Sequence, residues 1–286
     1  MVWLKHDNTY ITNHLQKNMQ SKAINDLTPE DIAAITDHTF LKTEDAFTKH
    51  PKGSVFGRQE AFDEFLSQVG SLNPYAVCVR HYDLDYTSKS LEALPRLAGR
   101  PLIAAVVGFP NPNIYVTSDQ FRIVKNEISR SSESEASEID FVLPYNGPRH
   151  GIGGKSIFGY VAQVNEFIQS RGMRSKLILE ISNLTNEQIE ATCKLAQSEG
   201  IDFVKTSTGY SQSGATPEAL KLMRSNFRMG VKISGGVTPD NYHSLLQAAN
   251  FDQSEIIELD PSRIRIGASS LLPALYSKKS VEAEQY

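Results

Sequence analysis

The chain has 286 residues, 40% of them hydrophobic and 22% charged, with a formal net charge of -4. That length suits one large domain or two small ones, and the charge balance, with no Lys/Arg block, argues against a general nucleic-acid binder. The longest apolar stretches, such as Leu102–Val107, are too short to span a membrane. The N-terminal MVWLKHDNTYITNHLQ has no apolar signal-peptide centre, so a cytoplasmic protein is expected. Two cysteines, Cys78 and Cys193, lie far apart without metal-ligand spacing, which fits a reducing compartment.

In chain order, residues 1–28 read as an N-terminal extension, helical or partly disordered. Short apolar runs then predict strands at 33–38, 75–80, 102–108, 138–144, 176–181, 201–206, 230–234 and 263–268. Helical patterns fall between them at 59–71, 84–97, 118–131, 156–171, 185–199, 216–228 and 239–249, and 270–277 closes the series. Start signals stand at Thr185 with Glu187 and Gln188, at Thr216 with Pro217, and at Thr238 with Pro239. The run SSESEASE (131–138) reads as a solvated helix end and loop.

Eight strands alternating with helices predict an α/β protein, a single (β/α)8 barrel over residues 29–278, with a tail at 279–286. A doubly wound sheet is the rival, but no nucleotide fingerprint follows the first strand. GIGGKS (151–156) is not a phosphate-binding P-loop, because Arg149 stands where the first glycine belongs. The seven histidines make no H-x-x-x-H pair, so no metal is expected.

In a barrel, chemistry sits at the C-terminal ends of the strands. The polar residues expected there are Asp37, Cys78, Asp140, Glu180, Lys205, Lys232, Ser269 and Ser270. Asp37 could equally cap a turn, Cys78 fill the core, and Glu180 be structural. Lys205 and Lys232 each interrupt an apolar strand (DFVKT, GVKIS), and a buried lysine beside a second cation becomes a neutral, nucleophilic amine. Asp140, in EIDFVLP, would supply a proton-transfer carboxylate. The alternative is a structural Lys–Asp ion pair filling the barrel. Ser234-Gly235-Gly236 and Gly267-Ala268-Ser269-Ser270 follow the last two strands, where barrels often bind phosphate through loop amides and a helix N-terminus.

These residues resemble the deoxyribose-phosphate aldolases, Schiff-base aldolases on a (β/α)8 barrel. The resemblance runs from about Ile35 to Leu272 and is carried by DHTFLK (37–42), AVCV (76–79), VVGFP (106–110), EIDFVLPYN (138–146), DFVKTSTGY (202–210), GATPEALKLM (214–223), VKISGGV (231–237) and RIGASSLL (265–272). It implies reversible cleavage of 2-deoxy-D-ribose 5-phosphate to acetaldehyde and D-glyceraldehyde 3-phosphate without a cofactor. It makes Lys205 the Schiff-base lysine, Lys232 its perturbing neighbour and Asp140 the proton-transfer carboxylate. Asp37 and Cys78 would line the substrate pocket, and phosphate contacts would fall on Thr208, Gly209, Gly235, Gly236, Val237, Gly267, Ser269 and Ser270. A homodimer is the family analogy.

The chain departs from that pattern at four places. Thr238 stands where an arginine is common, Tyr210 where some members carry lysine, and Arg80 follows the Cys-Val pair in place of proline. Asn111-Pro112-Asn113 replaces a glycine-bearing segment. Losing cations near the phosphate weakens its binding, because charge-assisted bonds are the stronger ones, and Arg80 is a candidate replacement. Two alternatives follow: a related aldolase less dependent on phosphate, acting on other small aldehydes, and a non-catalytic barrel that binds a sugar phosphate.

Overall fold

The computed structural model describes residues 21–94, 99–110, 118–144 and 155–284. Among these residues ten strands form: β1 (Ser21–Ala23), β2 (Thr36–Phe40), β3 (Ala76–Arg80), β4 (Leu102–Val107), β5 (Glu138–Val142), β6 (Arg174–Ile178), β7 (Phe203–Lys205), β8 (Gly230–Ser234), β9 (Ile256–Glu258) and β10 (Ile264–Ala268). Eight of them close a parallel barrel in the order β10-β2-β3-β4-β5-β6-β7-β8, as the eight apolar runs predict. The helices outside it are α1 (Pro29–Ala33), α2 (Ser54–Leu72), α3 (Leu84–Glu92), α4 (Ser118–Glu133), α5 (Lys155–Gln169), α6 (Asn186–Ser198), α7 (Pro217–Asn226), α8 (Tyr242–Ala249) and α9 (Leu271–Glu284).

Local chemistry sets several of these boundaries. The Thr28 hydroxyl accepts from the Asp31 N–H, and the Asp31 carboxylate accepts from the Thr28 N–H, a capping box that opens α1 at Pro29. That helix ends on Ala33, the first residue of the expected strand, with Ala34 as its C-cap, so β2 starts three residues later than the apolar pattern at 33–38 suggests. Thr185 caps α6 with Gln188, and Thr216 caps α7 ahead of Pro217, as expected. Thr238 does not start its helix. Its N–H donates to Asn241 Oδ1 in a turn, and α8 begins only at Tyr242. Residues 1–20 of the expected extension lie outside the described residues; from Ser21 the chain pairs β1 antiparallel with β9, anchored by buried Ile24 and Ile257.

Alternation along each strand divides the barrel into two environments. Ile139, Phe141, Val204, Val231, Ile233, Ile264 and Ile266 face outward into the apolar layer beneath the helices. Each such residue, fully buried, is worth about 1.5–3 kcal/mol, so this jacket supplies most of the stabilisation. The residues between them point inward: Glu138, Asp140, Lys205, Lys232 and Arg265, all buried. The interior also holds a small apolar cluster of Leu41, Cys78, Ala104 and Val106. Glu138, the last residue of SSESEASE, is therefore inside the barrel and not on the solvated face expected for that run.

Candidate active site

Lys205 and Lys232 are Cα partners across the β7–β8 ladder, which puts the two lysines side by side. Both ammonium groups donate to one oxygen: Asp140 Oδ2 lies 2.9 Å from Lys205 Nζ and 2.8 Å from Lys232 Nζ. The other oxygen of Asp140 accepts from Lys176 Nζ at 3.0 Å. Asp37 Oδ2 makes an ion pair with Lys232 at 2.5 Å, and Asp37 Oδ1 accepts from Arg265. Glu138 completes the network, 2.6 Å from Lys176 and 2.8 Å from Arg265. Cys78 Sγ stands 4.0 Å from Asp140 Oδ2, so Asp37 and Cys78 both border the lysine pair.

Burial works against every charge here, and proximity outweighs it. Burial pushes the Asp140 carboxyl up, but the ammonium groups of Lys176, Lys205 and Lys232 hold it well below the usual carboxylate range. Asp37 is lowered likewise, with Lys232 and Arg265 overcoming burial. Burial pulls the Lys232 ammonium down, yet Asp140 and Asp37 raise it well above the usual lysine value. Lys232 is thereby held as a cation next to Lys205. The Cys78 thiol is pushed up by burial and stays protonated.

Gly267 is where a side chain would collide with this arrangement. A Cβ there would come within 2.8 Å of Lys232 Cε, so the glycine makes room for the stem of the second lysine. Gly235 has φ +86°, and a Cβ on it would lie 2.9 Å from Gly214 Cα, so the loops after β7 and β8 touch backbone to backbone.

Apart from Gly267, the residues expected to meet phosphate divide into three groups. Gly209, Gly235 and Gly236 all have positive φ in turns that follow β7 and β8. Ser269 and Ser270 are exposed immediately before α9. Thr208 and Val237 have other engagements. The N–H of Thr208 is 3.2 Å from Glu180 Oε2 and its hydroxyl donates to the same oxygen, while Val237 is buried in the apolar core. Glu180, left open by the sequence, is thus the carboxylate that ties the β6 loop to the β7 loop.

Lys176, Glu138 and Arg265 belong to the network and are missed by the sequence reading. All three carry a usable signal: a charge in a strand whose neighbours are aliphatic (EID, RIR, KLI), the same misfit that marks Lys205.

These features can be set beside known proteins. The sequence profile described as DeoC/LacD family aldolase matches residues 32–275. The chain is 31% identical to a deoxyribose-phosphate aldolase of Aciduliprofundum boonei over 242 residues, 84% of this chain and 93% of that one. It is 33% identical to a deoxyribose-phosphate aldolase of Caldicellulosiruptor saccharolyticus over 254 residues, 85% of this chain and 96% of the other. Among solved structures, the deoxyribose phosphate aldolase of Aeropyrum pernix, described as tetrameric, superposes with a TM-score of 0.62 at 22% identity. That superposition covers 90% of this chain and 95% of the other, and supports the barrel fold. The chain is a member of the DeoC/LacD family of aldolases.

Proposed function

We propose that this aldolase cleaves 2-deoxy-D-ribose 5-phosphate reversibly to acetaldehyde and D-glyceraldehyde 3-phosphate through a Schiff base on Lys205. The observation that carries the assignment is the single oxygen, Asp140 Oδ2, shared by Lys205 and Lys232 at 2.9 and 2.8 Å. Asp140 is also claimed by Lys176, and Lys232 has Asp37 as a second carboxylate, whereas among the described residues Lys205 pairs with Asp140 alone. Lys205, the lysine with the fewest carboxylate contacts, is therefore the one assigned as the nucleophile.

The Lys205 amine adds to C1 of the open-chain substrate, and loss of water leaves a protonated imine. The C3 hydroxyl then gives up its proton, the C2–C3 bond breaks, and its electron pair flows into the imine to form an enamine. The C3 fragment departs as D-glyceraldehyde 3-phosphate. Protonation of the enamine at C2 and hydrolysis of the regenerated imine release acetaldehyde and free Lys205. Asp140 and Lys232 are the groups close enough to move these protons, with Asp37 and Cys78 bordering the substrate. No cofactor enters the scheme.

Gly209, Gly235, Gly236, Gly267, Ser269 and Ser270, with the backbone of Thr208 and Val237, form the phosphate end of the site in this reading. The catalytic unit in this reading spans 29–278, with 1–28 as extension and 279–286 as tail, α9 running on into that tail as far as Glu284. A cytoplasmic location fits a phosphorylated substrate and the two free cysteines, Cys78 and Cys193. Self-assembly, as a homodimer, rests on family analogy, and light scattering giving a monomer mass would contradict it.

The direct test supplies deoxyribose 5-phosphate to the purified protein and follows acetaldehyde release. Turnover with the phosphorylated sugar supports the assignment; turnover confined to unphosphorylated aldehydes would favour the less phosphate-dependent alternative.

A further inference from the structure

Arg80 ends β3, the strand diametrically opposite β7 in the barrel order, and is only 6% exposed. A guanidinium so deeply buried normally faces a carboxylate. Among the described residues none lies within ion-pairing distance. Two acids near its strand end are occupied: Asp83 pairs with Arg58 at 2.6 Å, and Glu127 accepts the Gly108 N–H at 2.7 Å and faces His81 at 3.9 Å. Three neutral acceptors take its place. Arg80 Nε donates to the Leu41 carbonyl at 2.8 Å, Nη1 reaches the Phe109 carbonyl at 3.5 Å, and Nη2 reaches the Tyr210 hydroxyl at 3.4 Å.

Those two outer contacts sit at the long limit of hydrogen bonding and contribute little. The guanidinium carbon is 5.2 Å from the Phe109 ring and 5.8 Å from that of Tyr210, while the Tyr210 hydroxyl donates to the Leu41 carbonyl at 2.5 Å. Tyr210 itself follows Gly209 directly, and its N–H donates to Thr208 Oγ1 at 3.1 Å. Arg80 is thus tied, through one tyrosine side chain, to the loop that carries the Thr208–Gly209 turn, at the C-terminal mouth above Lys205.

We infer that Arg80 is the cation that receives the phosphate of the substrate, exchanging its two long contacts to neutral oxygens for charge-assisted ones. Tyr210, which touches Arg80 from the β7 loop, is its positioning partner. The inference rests on the proposed cleavage of deoxyribose 5-phosphate and deepens it, naming a specificity residue that reaches from β3 to the β7 loop through Tyr210, the residue after Gly209.

The test compares wild type, Arg80→Met and Arg80→Lys in kcat/KM for deoxyribose 5-phosphate and for deoxyribose. Expected is a drop of about tenfold or more in the phosphorylated-to-unphosphorylated ratio for Arg80→Met, expressed mainly in KM, with Arg80→Lys intermediate. Inhibition by inorganic phosphate should weaken by a similar factor. A structural clasp would lower both activities together and leave the ratio and the phosphate inhibition within about twofold, which overturns the inference. Stabilisation of the wild type against heat by inorganic phosphate, lost in Arg80→Met and partly kept in Arg80→Lys, reads the same site without turnover. If the wild type cleaves neither sugar, the proposed reaction fails, while this thermal shift still decides for or against Arg80.

Discussion

Two layers of charge inside the barrel differ in their balance. In the deeper one, Asp37 and Glu138 face Lys176 and Arg265, two charges of each sign with contacts among all four. In the upper one, Asp140 is shared by Lys205 and Lys232, while Asp37 reaches up to Lys232 and Lys176 reaches up to Asp140. The deeper set is balanced in formal charge. The upper set carries one more cation than anion, and in the proposed reaction that excess favours Lys205 as the attacking amine. In the proposed reaction two polar clusters of similar burial do different things: one holds the strands in register, the other prepares a nucleophile.

Removing the excess charge is the strongest way to break this contrast. Lys232→Met should reduce kcat by about 10²–10⁴-fold. Without the neighbouring ammonium the Lys205 proton is harder to lose, so the acidic limb of the kcat/KM profile should move to higher pH. A profile that keeps its position would contradict the paired-amine argument. Next in size, Arg265→Met unbalances the deeper layer by stranding Asp37 and Glu138, and should cost about 3–5 kcal/mol in urea unfolding. Loss confined to activity, with stability intact, would reverse the division of labour between the layers.

Acid sharpens the comparison with a smaller effect. Folded Asp37, Asp140 and Glu138 all titrate below their ordinary values of 3.8, 3.8 and 4.5. Their contribution to stability is present above those values and is lost as pH falls through the depressed ones. Lys176 and Lys232 titrate above 10.5, so their contribution is present below that value and disappears as pH rises through the raised ones. The urea midpoint should fall below about pH 4, and Glu138→Gln, which removes one of the three carboxylates, should make that fall shallower. An unchanged slope would mean the deeper layer is not what acid unfolds.

How much of this was open to reading from residues alone follows from what each signal depends on. The eight strands were legible because parallel strands under helices are short apolar runs. Lys205, Lys232 and Asp140 were legible as charges that such runs should not contain. Glu138 was lost inside an acidic surface-like run, and Arg265 behind its isoleucines, because neither shows locally which face of the strand it occupies. The Arg265–Asp37 contact joins residues 228 positions apart, a distance at which only barrel closure, and no spacing rule, brings two side chains together. Thr238 misled for the opposite reason: a good local start signal was overridden by Asn241, whose side chain accepts the Thr238 N–H and delays the helix.

Three buried lysines surround Asp140, and the central claim is that only one of them is the nucleophile. Incubation with acetaldehyde, reduction with borohydride and peptide mass spectrometry would read this directly. The account predicts a reduced ethyl adduct on Lys205 and none on Lys176 or Lys232. An adduct on either of the other lysines, or no adduct on Lys205, would contradict it.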